Sequence, residues 1–451
     1  MWHYKDILKA TKGELIKLKA ETFNGISTDS RTIKEGELFI PLKGKKHDGH
    51  DFIQHAMKNF GSGTLCEFNK LELTSNLDKT IIAVKDTNMA LADVAYYKRK
   101  LMNSTFVAIT GSCGKTTTKE VLVHIVKKSK TVAYNEKNYN NLFGVALSLV
   151  GIDSNPEVAI FELGTNAPGE IKTLTQVVEP DISVITNVRP SHLEGLKSIS
   201  GVANEKLDIY RYTKEGGILF VNKDEDLIRE FRDDRKRICY FGIKNPADFS
   251  LSVEKSYGWD GYEVNINLGK EESRAKVRLL GKHNLYNVLI AASIAYTLGI
   301  PKVKIVEALE EFGPYPMRMN PKKSEKGYVI LDDTYNANPA SMYEALRTFS
   351  ELPCEGKKIL VLGDMNELGE YSVYYHRDLG RTLNEIDFHY AFFFGEKIRD
   401  TYLETKKGEK LYFENMGELL DRLLSVLEEK DCVLIKGSRS LNLDLLVKEI
   451  G

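Results

Sequence analysis

Short apolar segments alternate with amphipathic stretches from residue 104 onwards. The first apolar segment, 106–109, reads as a buried strand, and apolar residues at helical spacing follow it at 121–126. Further strand-like runs, with helical stretches between them, occur at 158–163, 182–186 and 218–221. This alternation predicts a mostly parallel β-sheet covered by helices.

Two changes in the pattern divide the chain. Residues 1–103 mix short strands with turns, whereas two prolines and a glycine end a helix at 311–316, after which strands and helices alternate again. We therefore predict an α/β protein with three domains. They are a mixed α/β domain at 1–103, a central parallel-sheet domain at 104–312 and a smaller, Rossmann-like domain at 313–451.

Charge and cysteine content exclude several functional classes. The chain has 63 basic and 64 acidic residues, a net charge of −1, which argues against nucleic acid or a membrane surface as its main partner. Its five cysteines are far apart and lack metal-ligand spacing, which indicates reduced thiols. Without an apolar signal segment or an 18-residue apolar run, the sequence predicts a soluble, cytoplasmic protein. We also expect it to be a monomer.

A glycine-containing turn, 110–116, reads Thr-Gly-Ser-Cys-Gly-Lys-Thr and separates the first strand and helix of the central domain. Backbone amides at a helix N-terminus surround phosphate oxygens, while Lys115 supplies a positive charge and Thr116 a hydroxyl for Mg²⁺. Ile109 stands where the usual pattern has its first glycine, so an ordinary strand-to-helix turn is the alternative. The predicted nucleotide-phosphate residues are Gly111, Ser112, Cys113, Gly114, Lys115, Thr116 and Thr117.

Other candidate residues follow the later strands of this domain. Glu162 ends a strand, so it should share a crevice with the phosphate loop and hold Mg²⁺. His192 follows the next strand but is an uncommon Mg²⁺ ligand, and Lys206 by itself reads as a solvent-facing helix lysine. Four asparagines at 135–141 exceed what a helix cap needs, and their amides suit substrate oxygens.

In their order and spacing, these segments resemble the Mur ligase family, ATP-dependent enzymes that extend the peptide stem of the peptidoglycan precursor. The resemblance covers nearly the whole chain. Its motifs are the phosphate loop, 138–141, Glu162, Asn187, 192–195, 201–206, 281–287, Arg318, 332–339 and 436–439.

The resemblance implies a metal site that the residues alone do not indicate. In the family, the lysine at 206 is carbamylated by CO₂ and becomes an anionic oxygen ligand. It would hold Mg²⁺ with His192, Glu162 and Thr116, whereas an ammonium with a pKa of about 10.4 would repel the metal. Asp208 stands where family members often have glutamate, which leaves the local geometry open.

The C-terminal motifs resemble those of the family member that adds D-alanyl-D-alanine to UDP-N-acetylmuramoyl-tripeptide. They are Asp-Asp-Thr-Tyr-Asn-Ala-Asn-Pro at 332–339, Gly-Asp-Met-Asn-Glu-Leu-Gly at 363–369 and Lys-Gly-Ser-Arg at 436–439. Met317 and Asp444 depart from the family pattern, in positions that carry no assigned chemistry. The N-terminal segments around 27–31 and 36–52 resemble the family's UDP-binding domain.

Two sets of binding residues follow from the resemblance. Beyond the phosphate loop, the expected ATP contacts are Asn284, Asn287, Arg318, Asp333 and Tyr335. The expected substrate contacts are Ser27, Thr28, Asp29, Ser30, Arg31, Lys43, Asn138, Asn141, Thr165, Asn166, Asn336, Asn338, Lys436 and Arg439. Arg318 lies in an interdomain linker, so it should reach ATP phosphate only when the C-terminal domain closes.

The implied reaction is amide ligation through an acyl phosphate, with Lys115, Lys206, His192 and Glu162 as the catalytic residues. His283 and Asp208 are candidate general bases, and His376 is a candidate contact. The alternatives are another amino-acid-adding Mur ligase, a folate polyglutamate ligase relative, or a non-catalytic nucleotide-binding protein.

Overall fold

Three main β-sheets, arranged in chain order, form the framework of the protein in a computed structural model that describes residues 1–44, 46–269 and 271–451. The sheets have five, nine and six strands, and each belongs to a separate unit. Within the described ranges no helix combines the length and the apolar character that crossing a membrane requires.

The first unit is a small mixed α/β layer. Its elements are β1 (Trp2–His3), α1 (Tyr4–Thr11), β2 (Glu14–Lys17), β3 (Thr22–Phe23), β4 (Ile26–Ser27), β5 (Leu38–Phe39), α2 (Ile53–Asn59), β6 (Gly63–Glu67), β7 (Thr80–Val84) and α3 (Thr87–Leu101). The main sheet has the order β2-β7-β6-β5-β4, and β1 pairs with β3.

The central unit holds the nine-stranded sheet. Its elements are β8 (Thr105–Thr110), α4 (Lys115–Val126), β9 (Val132–Tyr134), α5 (Leu142–Val150), β10 (Val158–Glu162), α6 (Glu170–Val178), β11 (Ile182–Ile185), α7 (Leu193–Leu196), α8 (Ile199–Tyr212), β12 (Ile218–Asn222), β13 (Arg237–Gly242), β14 (Phe249–Ser256), β15 (Tyr262–Leu268), β16 (Glu271–Val277), α9 (Lys282–Thr297) and α10 (Lys302–Glu311). The order is β16-β15-β14-β13-β12-β11-β8-β10-β9.

The third unit is a six-stranded sheet between helices. Its elements are β17 (Asn320–Lys323), β18 (Val329–Asp332), α11 (Pro339–Glu351), β19 (Lys358–Gly363), α12 (Ser372–Leu383), β20 (Tyr390–Phe394), α13 (Arg399–Glu404), β21 (Glu409–Phe413), α14 (Met416–Val426), β22 (Cys432–Lys436) and α15 (Asp444–Ile450). The order is β17-β18-β22-β19-β20-β21. Short 3₁₀ helices occur at Gly49–Phe52, Phe68–Thr74, Gly258–Asp260, Gly369–Tyr371 and Arg439–Leu441.

Apolar side chains cover both faces of the central sheet, because successive residues of a strand point to opposite faces. In β8, Val107 and Ile109 pack in the cluster that includes α4 and α9. Phe106 and Ala108 pack in a second cluster, which continues into α3 of the first unit and β19 of the third. This shared apolar cluster packs the three units against one another.

The central sheet is parallel from β9 to β14 but not throughout. β15 and β16 add to its edge as antiparallel strands, with Phe249 opposite Leu268 and Tyr262 opposite Val277. β15 alternates buried and half-buried residues, as expected of a strand with one face against helices. Antiparallel neighbours can be joined by short turns, so the connections between β14, β15 and β16 need no crossover helices.

Candidate active site

A cavity of about 2250 Å³ lies between the central and third units. Its wall includes the loops that follow β8, β10 and β11, together with residues beyond β18. In the central sheet, Ile109 is opposite Glu162 and Thr110 is opposite Ile185, so the ends of these three strands lie at one edge. Ligands of doubly wound sheets bind at this edge.

The phosphate loop needs glycine at two positions. Gly111 and Gly114 have φ angles of 154° and 83°. A Cβ atom at Gly111 would lie 1.8 Å from Thr186 Oγ1, and one at Gly114 would lie 2.2 Å from Asn287 Oδ1. Because α4 begins directly after Gly114, its N-terminal amides face the cavity, where they favour an anion.

The segment after β11 holds the rest of this loop. The amides of Ser112 and Cys113 donate to Asn187, the first to its carbonyl and the second to Oδ1, each at 3.0 Å. Ser112 Oγ donates to the Arg189 carbonyl at 2.8 Å. Thr117, in the first turn of α4, is also part of the cavity wall. Hydrogen bonds to the segment after β11 therefore hold the loop in place.

Two cations, Lys115 and Arg318, contact the phosphate loop. Lys115 Nζ donates to the Gly111 carbonyl at 2.8 Å, and burial lowers the pKa of this lysine. Thr116 Oγ1 donates to Glu162 Oε2 at 2.8 Å and accepts from Arg318 Nη2 at 3.2 Å. Because Arg318 precedes β17, a residue at the start of the third unit reaches the phosphate loop of the second.

The surroundings of Arg318 fit a nucleotide. Its guanidinium lies over the ring of Tyr335, 3.7 Å from the ring centroid. Its buried Nε has no hydrogen-bond partner within the described part of the chain. Asn284 and Asn287, linked by a 2.8 Å hydrogen bond, lie on the same cavity wall. A buried guanidinium donor without a partner suits an anionic group such as phosphate.

A buried asparagine fixes the backbone of Glu162. Asn135 Oδ1 accepts from the Glu162 amide at 2.8 Å, and its Nδ2 donates to the Glu162 carbonyl at 2.9 Å and to the Tyr139 carbonyl at 2.7 Å. Lys119 Nζ donates to the Asn135 carbonyl at 2.6 Å. Asn140 Nδ2 donates to Glu162 Oε1 at 2.8 Å, so both oxygens of this carboxylate are held.

Replacing Asn135 with alanine should destabilise the protein by about 1–3 kcal/mol, because it leaves the buried amide and carbonyl of Glu162 unpaired. Denaturant unfolding followed by circular dichroism measures the effect. The matched variant Asn138→Ala alters an exposed asparagine of the same loop and should change stability by less than about 0.5 kcal/mol. Equal stability losses in the two variants would contradict this account.

The oxygen atoms of the Glu162 carboxylate and the Thr116 hydroxyl suit a hard divalent cation. Glu162 is 2% exposed, and its carboxylate lies beside the Thr116 hydroxyl. Mg²⁺ prefers such oxygen ligands and, in nucleotide sites, takes others from phosphates and water. Across the described ranges, no group of three or more histidine, cysteine, aspartate or glutamate side chains is placed to hold a metal.

Lys206 is buried in α8, not solvent-facing. It is 1% exposed, and burial, followed by the nearby charge of Lys115, lowers its pKa to about 7. Its ammonium makes no hydrogen bond or ion pair with the residues that the structure describes. A buried amine that is readily neutral fits the chemistry of carbamylation, which requires the unprotonated form.

His192 meets a residue of the third unit. Its Nδ1 lies 2.6 Å from Glu367 Oε2, and this contact lowers the pKa of the glutamate carboxyl. Both residues are part of the cavity wall. His192 therefore lies beside the phosphate loop and also contacts the motif at 363–369.

The predicted C-terminal residues lie on the part of the cavity wall that the third unit supplies. Lys436 Nζ pairs with Asp333 Oδ2 at 2.6 Å and donates to the Asn336 carbonyl at 2.8 Å. The side chain of Asn338 caps α11 and lies against the phosphate-loop cysteine. Arg439 forms an ion pair within its own unit at 2.8 Å. All five residues are part of the cavity wall.

Three family models match the chain in order. They are the Mur ligase family catalytic domain at 22–99, the Mur ligase middle domain at 109–295 and the Mur ligase glutamate ligase domain at 317–439. The chain belongs to the Mur ligase family. Curated Mur ligase relatives match almost its whole length.

A relative from Buchnera aphidicola subsp. Baizongia pistaciae is 34% identical over 96% of this chain and 93% of its own length. One from Bacillus subtilis is 30% identical over 99% of this chain and 97% of its own length. Both are named UDP-N-acetylmuramoyl-tripeptide–D-alanyl-D-alanine ligase.

Solved Mur ligase structures share the fold. MurF from Acinetobacter baumannii superposes with a TM-score of 0.91 and 27% identity, covering 100% of this chain and 98% of that one. The MurF ligase of Thermotoga maritima in complex with ADP gives 0.85 and 28% identity, covering 94% and 96%. The predicted three-part α/β fold is confirmed.

The structure gathers most of the predicted Mur ligase residues at the cavity. Asn138, Asn141, Thr165 and Asn166 lie on its wall. The side chain of Asn141 caps α5, however, and the Thr165 hydroxyl donates to Glu205 at 3.2 Å. These two side chains therefore also have structural partners.

The predicted residues of the first unit are not part of this cavity wall. They are Ser27, Thr28, Asp29, Ser30, Arg31 and Lys43. Asp29 pairs with Arg31 at 2.7 Å, and this contact lowers the pKa of the Asp29 carboxyl to about 2. Ser30 Oγ lies 3.1 Å from His55 Nδ1, and the Lys43 amide donates to Asn88 Oδ1 at 2.9 Å. All six residues belong to the first unit and lie outside the described wall of this cavity.

The remaining candidates of this Mur ligase differ in their surroundings. His283 lies on the cavity wall, with Nδ1 3.7 Å from Glu344 Oε2. Asp208 pairs with Arg211 at 2.8 Å along α8. His376 is fully buried in the third unit, where Nε2 accepts from the Met365 amide at 3.1 Å, so its contacts are structural.

The sequence did not indicate the roles of three residues that organise the Mur ligase site: Asn135 and Asn140, which hold Glu162, and Glu367, which contacts His192. Asn135 and Asn140 lie in the asparagine-rich segment, but nothing in their spacing distinguishes them from Asn138 and Asn141. Glu367 lies in the motif at 363–369, whose composition does not indicate a contact with the central unit. Only the tertiary contacts identify these roles.

Proposed function

We propose that this chain is the ATP-dependent ligase that adds D-alanyl-D-alanine to UDP-N-acetylmuramoyl-tripeptide in the cytoplasm, a step of peptidoglycan synthesis. The observation that carries the proposal is that Arg318 meets the phosphate loop and Glu162 in one cavity. Full-length relatives of 30% identity or more carry this ligase name, and a similar solved structure holds ADP.

The reaction requires two anions to approach each other. The tripeptide carboxylate attacks the γ-phosphorus of ATP, which forms an acyl phosphate and releases ADP. The free amine of D-alanyl-D-alanine then attacks the acyl carbon, which forms the amide, and the amine proton and inorganic phosphate leave. Lys115, Arg318 and the amides of the loop would offset the negative charge and orient the γ-phosphate.

Thr116 and Glu162 would hold Mg²⁺, with His192 and a carbamylated Lys206 as further ligands. When bound, the metal would offset phosphate charge and orient the transferred group. The hard oxygen donors of the first two residues support this assignment. The burial of Lys206 and its lack of a partner support its carbamylation.

The predicted boundaries at 103/104 and 312/313 would separate three functional domains. The first would bind the UDP moiety through Ser27–Arg31 and Lys43. The central domain would bind ATP, and the third would bind the dipeptide carboxylate through Lys436 and Arg439. The enzyme would act as a monomer.

Phosphate release from ATP tests the function. It should require UDP-N-acetylmuramoyl-tripeptide and D-alanyl-D-alanine together, and mass spectrometry should detect the pentapeptide product. Release with a single amino acid in place of the dipeptide would identify another ligase of the family. ATP hydrolysis without either substrate, or nucleotide binding without turnover, would contradict the proposal.

A further inference from the structure

The motif at 363–369 reaches across the cavity from the third unit to the central one. Glu367 Oε2 lies 2.6 Å from His192 Nδ1, and the Glu367 carbonyl accepts from the Glu194 amide at 3.2 Å. A Cβ atom at Gly369 would lie 3.1 Å from Glu194 Cα. Side chain and backbone therefore bring the two loops into close contact.

The backbone on both sides of this contact has an unusual conformation. His192 and Glu367 have φ angles of 53° and 65°, in the left-handed region that residues other than glycine seldom adopt. Such conformations persist where the surrounding structure imposes them, and they concentrate at functional sites. The surrounding structure thus holds both His192 and Glu367, which touch across the cavity, in left-handed backbone conformations.

One imidazole nitrogen is occupied by this contact and the other is free. His192 Nδ1 lies at ion-pair distance from the Glu367 carboxylate, although the two atoms are not aligned for a hydrogen bond. His192 Nε2 makes no hydrogen bond with any residue in the described ranges. A metal-bound histidine almost always places its second nitrogen against a carboxylate, carbonyl or water, which orients the ring.

We propose that Glu367 is a positioning residue that orients the His192 ring for a metal ion and does so only when the third unit is docked. The proposal rests on the metal role given to His192 in the proposed function. Docking would then complete two parts of the site together: Arg318 reaches the phosphate loop while Glu367 orients the histidine.

The contribution of Glu367 is to orientation and not to folding. Its side chain is 49% exposed, and a half-exposed ion pair contributes little to stability. Loss of a carboxylate that orients a metal-bound histidine typically weakens metal affinity by about 10–100-fold. Metal affinity should therefore fall while the melting temperature stays unchanged.

Electron paramagnetic resonance of Mn²⁺ tests the proposal on the full chain saturated with a non-hydrolysable ATP analogue. Glu367→Ala should weaken Mn²⁺ binding by about tenfold or more. Glu367→Gln, which keeps an oxygen acceptor, should weaken it less. The matched control Glu370→Ala removes an exposed glutamate three residues away and should leave binding unchanged.

A double-mutant cycle with His192→Ala separates the possible outcomes. If Glu367 acts through His192, adding Glu367→Ala to His192→Ala should cause no further loss of Mn²⁺ binding. Unchanged binding in the single Glu367 variants, or an equal loss in the His192→Ala background, would overturn the proposal. Unchanged binding in His192→Ala alone would overturn the histidine's metal role and the positioning role with it, whereas failure of the ligase assay bears only on the proposed reaction.

Discussion

Replacing Lys115 with alanine should reduce ligase activity by about 10²–10³ or more. Its ammonium lies at the phosphate loop, 2.8 Å from the Gly111 carbonyl, beside the N-terminus of α4. Without this ammonium, no lysine charge at the phosphate loop offsets the repulsion between the attacking carboxylate and the triphosphate. Phosphate release in the presence of both substrates measures the loss.

The effect should be on catalysis and not on folding. Circular dichroism and the melting temperature of Lys115→Ala should match those of the parent, because the side chain makes a single hydrogen bond to a loop carbonyl. Lys127→Ala removes a lysine at the other end of α4 and should keep full activity. Activity of Lys115→Ala within a few-fold of the parent would contradict the role given to this lysine.

Replacing Lys206 with alanine should also abolish ligation, and the residual activity should not respond to bicarbonate. If the carbamate supplies a metal ligand, the parent enzyme depleted of CO₂ should lose activity and recover it when bicarbonate is added. Carbon-13 NMR with labelled bicarbonate should detect the carbamate in the parent only. Full, bicarbonate-independent activity of Lys206→Ala would contradict the carbamate role.

The rate at which Lys206 reacts with CO₂ should increase with pH when dissolved CO₂ is held constant. Burial and the charge of Lys115 lower the pKa of Lys206 to about 7, so the neutral amine that reacts with CO₂ predominates above this pH. At a constant concentration of dissolved CO₂, recovery of the CO₂-depleted enzyme should therefore be faster at pH 8 than at pH 6. A recovery rate that falls with rising pH at constant dissolved CO₂ would contradict the lowered pKa of Lys206.

Lys206→Met, a variant of similar length that cannot be carbamylated, separates activity from stability. Because the folded-state pKa lies below the unfolded value, the unfolded chain binds more protons between about pH 7 and 10.5. The free-energy cost of burying the Lys206 ammonium therefore has its maximum below pH 7 and decreases to zero as the pH rises towards 10.5. Measured without bicarbonate, the stability gain of Lys206→Met should shrink over the same range.

The framework of the site was predictable because it depends on local patterns. Alternating strand and helix periodicity indicated β8 and α4, and the glycines between them indicated a phosphate loop, which the φ angles of Gly111 and Gly114 explain. Glu162 at the end of β10 followed from the rule that parallel strands present their carboxyl ends at one edge. The family resemblance then supplied the roles of His192 and Lys206.

Periodicity could not anticipate where side chains from distant segments meet. Lys206 read as an exposed helix lysine, because the residues that bury it come from other elements. The antiparallel strands β15 and β16 were also missed, since a single alternating run fits either an edge or a central strand.

The sequence by itself determined the α/β class, the phosphate loop and the family, because these depend on residue spacing and on motifs within short segments. The tertiary structure alone decided that Asn135 clamps Glu162, that Lys206 is buried without a partner and that Glu367 contacts His192. Each of these depends on burial or hydrogen-bond geometry between segments separated by many residues. Such contacts are set by how the sheets and units pack, which no local pattern encodes.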